Sequence, residues 1–359
     1  MQPCQPAGFP VAVKLRIQFS GQAIPLQFQH HPVEQRQVRC GPLVEAFVQQ
    51  RAQFVRIGRN ERAHELHFAT ASAPRQRQKS SENCRLFIHA VSRWTHPSGV
   101  WFDFSIQFMT PLVSYPSGSY RFLPGIAPYS CGVIANPGHE IVHVTLQVAQ
   151  PWREGFGFVD RFLREQGRQR AELCGMELRS PKPFTMPGFI EFNRGYCWVL
   201  EEWGVLVEGV NPVARTNVCP LAMDGPEPAL HAFSFVRPNL ELQRQTFIVA
   251  GAGELVEGTL VDDGILRRGE TSAEAIEEKA RYVCEVMAER LRTLHGTWDE
   301  VTAVNAYTIH PLHPLMETLV LPGLPAARRH GVTWHYTRPP VIDIEFEMDL
   351  HGVVTQWVA

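Results

Sequence analysis

Residues 272–296 read SAEAIEEKARYVCEVMAERLRTLHG. Ile276, Ala280, Val283, Met287, Leu291 and Leu294 recur at spacings of three and four, which places them along one face of a helix. Thr271 and Glu274 stand at capping-box spacing and Gly296 supplies a stop, so the pattern predicts a helix over 272–295. A helix with a single apolar stripe needs another layer to cover it, and the flanking sequence supplies strands.

Upstream, 246–250 is apolar and runs into Gly251-Ala252-Gly253. Downstream come a strand over 301–307, a short helix over 314–320 with Pro314 in its first turn, and strands over 332–336 and 341–349. The same order stands earlier in the chain. Strands are expected over 129–134 and 140–148, around a turn at Asn136-Pro137-Gly138, with Val142, Val144, Leu146 and Val148 on one face. A helix near 158–165 and a strand near 171–178 follow. Next comes a helix over 189–203 that spaces Phe189, Phe192, Tyr196, Val199 and Trp203 ahead of Gly204. A strand over 230–236 closes the set. Residues 120–359 thus repeat β-β-α-β-α-β-β, which predicts an α+β protein with mixed sheets and helices on one face. The expected divisions are an extension over 1–119 and domains over 120–238 and 239–359.

The extension is set apart by charge. Residues 1–96 hold 11 Arg and 2 Lys against 5 Glu, and the first aspartate is Asp103. The segment is Gln-rich, and strands are expected only over 11–19 and 82–94. Three readings stand side by side: a basic arm for an acidic partner or RNA, a partly disordered extension, and a start placed upstream of the true one.

Composition excludes several classes. The net charge of −2 argues against a dedicated nucleic-acid binder. No apolar run is long enough to span a membrane, and the first residues lack a secretory pattern. The 8 cysteines form no Cys-x-x-Cys pair, so a cytoplasmic protein without a structural metal is expected. His139-Glu140-Ile141-Val142-His143 matches the zincin signature, but its context is a strand, on which residues four apart lie too far from each other to share one ion. His64-Glu65-Leu66-His67, and His310 with His313, are expected to be bland rather than metal-binding. Gly251-Ala252-Gly253 lacks the third glycine of a dinucleotide fingerprint, and neither a nucleophile elbow nor a phosphate loop is present.

Local motifs add a resemblance. Ile126-Ala127-Pro128-Tyr129-Ser130, Thr145-Leu146-Gln147 and Pro212-Val213-Ala214-Arg215-Thr216-Asn217-Val218 follow one another at the spacing found in the RidA/YjgF family of enamine and imine deaminases. Ala250-Gly251-Ala252, the segment 325–332 with Arg328 and Arg329, and Ile342-Asp343-Ile344-Glu345 repeat parts of that set. About two-thirds of the chain thus resembles two tandem, divergent copies of this family, and more distantly a chorismatase. The resemblance implies a chorismate-mutase-like fold, a homo-oligomer (a trimer or pseudo-trimer), and clefts between domains that take a small carboxylate substrate without a cofactor. The implied activity is hydrolytic deamination of small imine or enamine acids to keto acids and ammonia. The alternatives are a non-catalytic small-carboxylate binder and a chorismatase-like hydrolase.

The resemblance also implies roles. The motif arginine grips a carboxylate, a task suited to the guanidinium fork, which points to Arg215 in the first copy and to Arg328 or Arg329 in the second. A carboxylate on the last strand, Asp343 or Glu345, would position or activate water. Tyr129 would line the same cleft. The first copy has Leu230, His231 and Ala232 where that carboxylate belongs, and the second lacks the opening tyrosine. One complete site is therefore expected to combine Tyr129 with Arg329 and Asp343. The structural alternatives are an interface ion pair for Arg215, a solvated stripe of Asp343, Glu345 and Glu347, and an ordinary interface tyrosine at Tyr129.

Overall fold

The computed structural model describes residues 112–223 and 225–359 in full, together with the backbone of three strands nearer the N-terminus. Those three are β1 (Ala12–Phe19), β2 (Val91–Thr95) and β3 (Trp101–Met109), and they form an antiparallel sheet in the order β1-β3-β2 within a unit that ends at Met109. β1 coincides with the strand expected over 11–19, and β2 overlaps the end of the one expected over 82–94. The remainder of 1–111, including His64 and His67, lies outside the described residues.

Residues 110–359 form a second unit. Its elements run β4 (Val113–Ser114), β5 (Tyr120–Leu123), β6 (Gly132–Ala135), β7 (His139–Pro151), α1 (Trp152–Glu165), β8 (Leu173–Arg179), α2 (Met186–Glu202), β9 (Ala214–Pro220) and β10 (Ala229–Pro238). Then come β11 (Phe247–Gly253), α3 (Ala273–Thr293), β12 (Ala303–Tyr307), short helical turns over 313–330, β13 (Thr333–His335), β14 (Thr337–Arg338), β15 (Glu347–Gly352) and β16 (Thr355–Val358).

Two sheets result, ordered β14-β9-β8-β10-β7-β16 and β13-β12-β15-β11-β6-β5-β4. Their central quartets, β9-β8-β10-β7 and β13-β12-β15-β11, share one strand order and one set of directions. The first pair of each quartet is parallel and the other pairs are antiparallel. Each parallel pair is joined by helical crossover chain, as parallel strands require. The quartets are then extended by exchange. β6 does not pair with its sequence neighbour β7 but lies against β11 in the other sheet, while β16 adds to β7. The hairpin of β4 and β5 spans the 119/120 division drawn from the sequence.

Alternation decides which face is which. Val142, Val144 and Leu146 of β7 pack with Phe233 and Phe235 of β10 under Trp152, Phe156, Val159 and Leu163 of α1. Val148, expected on that face, lies in the register shift between Thr145 and Gln150 and stands 70% exposed. Val304, Ala306, Met348 and Leu350 pack likewise under the apolar stripe of α3. The opposite faces of the sheets meet through Ile141, Cys174, Ala214, Ile248 and Ala250. Gly175 allows this approach, because a Cβ there would stand 3.0 Å from the Ile248 side chain.

Several boundaries differ from those expected. α1 begins at Trp152, because Trp152, Phe156, Val159 and Leu163 make the buried stripe, and Gly155 and Gly157 only disguise it as loop. α3 is capped by Ser272, whose Oγ accepts from the Ala275 amide at 3.2 Å, rather than by Thr271. Its left-handed exit falls on His295, with φ of 62°. Gly296 serves packing instead, since a Cβ there would lie 2.7 Å from Leu291. The last long strand begins at Glu347, not at residue 341. Asp343 takes a positive φ of 72° in a turn that Ile344 N closes onto Val341 O. The Glu254 carboxylate then accepts from the amides of Glu345 and Phe346, at 2.6 and 3.0 Å. Those amides are therefore satisfied by a side chain, and the sheet ladder starts two residues on.

Candidate active site

α2 carries Phe189, Phe192, Asn193 and Tyr196 on one face, and Thr185 caps it at the Gly188 amide. β9 brings Arg215 beneath that face. The guanidinium carbon lies 4.7 Å from the Tyr196 ring centre, 5.6 Å from Phe189 and 5.9 Å from Phe192. Tyr129, held in place by the bridge between Ser130 and Ala214, offers its ring from the fourth side at 5.2 Å. Arg215 Nη2 donates to Asn193 Oδ1 at 2.7 Å.

This cradle is incomplete in a specific way. Arg215 is 3% exposed, yet its Nη1, the Nδ2 of Asn193 and the hydroxyl of Tyr196 have no hydrogen-bond partner. Each buried orphan costs about 1–3 kcal/mol unless something fills it. No carboxylate forms an ion pair with Arg215 among the described residues. Burial pushes the Tyr129 hydroxyl up to about 12, against the lowering pull of Arg215 and Arg290. The three unsatisfied atoms, one of them on the unpaired guanidinium itself, are all able to donate, which is the chemistry that receives an anion.

The facing sheet supplies the carboxylates. Glu347, Asp349 and His351 alternate along β15 and point between the sheets, all buried. Asp349 accepts from Thr216 Oγ1 at 2.8 Å, Asn305 Nδ2 at 2.8 Å and Tyr307 Oη at 2.9 Å, which fixes it. Glu347 is different. Burial, with Asp349 and Glu254 beside it, pushes its carboxyl well above the usual range, and it lies within electrostatic reach of Arg215. Gly251 makes room for it, because a Cβ there would meet Glu347 Oε1 at 2.3 Å and Thr216 Oγ1 at 3.1 Å. Thr216 Oγ1 also receives the Gly251 amide at 3.1 Å. Arg290 of α3 holds the backbone below, donating to Ala250 O at 2.9 Å while it pairs with Glu257.

Farther along the seam, Glu177 of β8 faces His143 of β7 and His351. Its Oε1 stands 3.4 Å from His143 Nε2 and 3.6 Å from His351 Nε2, and Arg179 takes its Oε2 at 3.2 Å. Burial lowers His143 to about 4, so this imidazole is neutral near pH 7. The strand expected through the His-Glu-x-x-His motif is β7, and only His143 of its two histidines joins this group.

The residues singled out from the sequence fall into two sets. Tyr129 and Arg215 meet. Arg328 and Arg329 sit on an exposed helical turn, where Arg329 Nη2 donates to Asp299 O at 2.6 Å. Asp343 pairs with Arg268 at 2.9 Å, and Glu345 with His310 at 2.8 Å. Within the chain, Tyr129 therefore meets Arg215 rather than Arg329 and Asp343. The carboxylate that accompanies them is Glu347, four residues past Asp343. The alternative of a solvated stripe of Asp343, Glu345 and Glu347 does not hold for Glu347, because the strand begins there and the side chain is buried. Asn193 carries no motif signal in the sequence, although its spacing to Phe189 and Tyr196 puts it on their face.

Comparison with known proteins bears on this arrangement. The profile of the 2-aminomuconate deaminase CnbZ family matches residues 112–357. A 2-amino-5-chloromuconate deaminase of Comamonas testosteroni is 40% identical over 256 residues, covering 70% of this chain and all of that protein. No helix among the described residues is long and apolar enough to cross a membrane. With two-thirds of its length matched in both comparisons, the chain belongs to the 2-aminomuconate deaminase CnbZ family.

Proposed function

We propose that the protein hydrolytically deaminates an aminomuconate-type acid, a linear dicarboxylate bearing an amino group next to one carboxylate. The observation that carries this reading is the buried, unpaired Arg215 guanidinium with unsatisfied polar atoms of Asn193 and Tyr196 beside it.

The chemistry follows from the groups around that cation. The substrate carboxylate takes Arg215 Nη1, Asn193 Nδ2 and the Tyr196 hydroxyl, all donors. This sets the adjacent C–N bond toward Glu347. With its carboxyl pushed up by burial, Glu347 is a general acid and protonates the enamine carbon, giving the iminium and leaving Glu347 ionised. Water adds to the imine carbon. Glu347 accepts the water proton and passes it to nitrogen; as ammonia leaves, the carbinol hydroxyl gives its proton to Glu347, which restores the acid form. The product is the 2-oxo acid, and the atoms balance as imine plus water giving ketone plus ammonia. Tyr129 closes the aromatic wall over the cation.

We also read the paired quartets as tandem RidA-like units of chorismate-mutase type, assembling as a homo-oligomer. The shared strand order and directions support the tandem reading. Light scattering of the purified protein tests the assembly.

The direct test follows ammonia release from 2-aminomuconate generated in situ, with spontaneous hydrolysis subtracted. Acceleration by wild type, lost in Arg215→Ala and kept in Arg329→Ala, is the expected result. No acceleration by wild type would end this reading.

A further inference from the structure

Three strands of the two sheets converge on a side-chain group that the proposed deamination does not use. His143 comes from β7, Glu177 from β8 and His351 from β15, so each ligand atom is carried by regular backbone rather than by a loop. The geometry points to a binding site for one divalent transition-metal ion of the zinc class, formed by His143 Nε2, Glu177 Oε1 and His351 Nε2.

Distances support this assignment. A tetrahedral ion with nitrogen and oxygen ligands at about 2.0–2.2 Å has ligand–ligand edges of about 3.3–3.6 Å. The two edges from Glu177 Oε1 measure 3.4 and 3.6 Å, and the three ligand atoms all lie within 4.8 Å of one another. The imidazoles meet edge to face, with ring centres 5.0 Å apart. Arg179 occupies the other oxygen of Glu177, so Oε1 is the one turned toward the imidazoles. Such a carboxylate partner orients a ligand in the way outer-shell groups do at metal sites.

Charge is also matched. Glu177 and Asp349 offset Arg179 and leave capacity for a cation. Asp349 Oδ1 stands 3.8 Å from His351 Nε2 and is held there by Asn305. The donor set has no thiolate and suits zinc, iron(II) or cobalt(II) rather than a soft ion. Three protein ligands leave one position for water or another small ligand.

The test uses cobalt(II) on tag-free full-length protein that has been washed with a chelator and exchanged into metal-free buffer. The expected result is about one ion per chain, with visible bands of a low-symmetry nitrogen–oxygen site, no thiolate charge-transfer band, and displacement by zinc. His351→Ala and the isosteric Glu177→Gln should each weaken binding by at least about 100-fold. Far-UV circular dichroism and the urea midpoint establish that these variants are folded. Glu177→Gln keeps the side-chain shape, so it reports on the ligand rather than on packing. The assignment is overturned if wild type binds neither cobalt nor zinc, if binding shows thiolate bands, or if folded Glu177→Gln binds as wild type does.

Discussion

Lys279 of α3 reaches Glu254 at 3.1 Å, with both side chains fully out of solvent. The pair does more than balance charge. Glu254 holds the amides of Glu345 and Phe346, and Lys279 Nζ donates to Asp343 O at 3.3 Å. It thereby fixes where β15 begins, and hence which side chains of that strand face the other sheet. Removing the lysine leaves a buried carboxylate without its cation. Lys279→Met is expected to lower stability by about 3–5 kcal/mol in urea unfolding, in line with other broken buried pairs. A loss under about 1 kcal/mol would show that water reaches Glu254 in solution.

Arg215 should be specific in what it loses. Arg215→Lys keeps the charge but not the fork, so it should retain little of the carboxylate grip. For the proposed substrate, kcat/KM should fall by about 100-fold or more in both Arg215→Ala and Arg215→Lys, with Arg329→Ala near wild type. Steady-state kinetics on the three variants decides it. Equal losses at Arg215 and Arg329 would mean that the exposed arginine also touches substrate.

Glu347 gives a pH prediction with a definite sign. Its folded-state pKa is raised, first by burial and then by Asp349 and Glu254. The neutral form is therefore the one the fold favours. Its stabilising contribution is full below the unfolded value of about 4.3 and is lost as pH rises through the folded value. Glu347→Gln, neutral at every pH, should unfold at a higher temperature than wild type at pH 8, with the difference shrinking toward pH 4. The same variant should lower kcat by about 100- to 10,000-fold and remove the alkaline limb that Glu347 sets. Calorimetry against pH checks the first statement and a pH–rate profile the second.

Gly251 tests the position of that carboxyl without changing its chemistry. Gly251→Ala inserts a methyl group where Glu347 Oε1 and Thr216 Oγ1 now lie. Overpacking of this kind costs about 1–3 kcal/mol. Deaminase activity should fall further than the stability change explains, and the urea midpoint and kcat measured together separate the two.

Much of the fold could be read from the sequence because its signals are local. The α3 stripe, the alternation of β7 and the turn at Gly138 each arise within a few residues. Arg215 and Tyr129 were also within reach, through motif spacing. What escaped depends on contacts between residues far apart. The start of β15 is set by Glu254, some 90 residues earlier, so Asp343 and Glu345 precede the strand and Glu347 is its first residue. Glu177 and His351 carry no local pattern, and their role arises only when the two sheets face each other. The partner of β6 is likewise a matter of tertiary choice, since its short apolar run suits either sheet.

The exchange of strands between the sheets also has a temporal meaning. Thr355 to Val358 align with Val142 to Thr145, so the first sheet gains its outer strand from residues translated more than 200 positions later. Contacts of such sequence separation slow folding, because a long loop must close before they form. On a ribosome, β7 would wait with one edge uncovered through the synthesis of the whole second quartet, and an uncovered edge is the usual seed of wrong pairing. The order of synthesis thus makes the first half dependent on the second, and biogenesis rather than catalysis becomes the step most exposed to truncation or stalling.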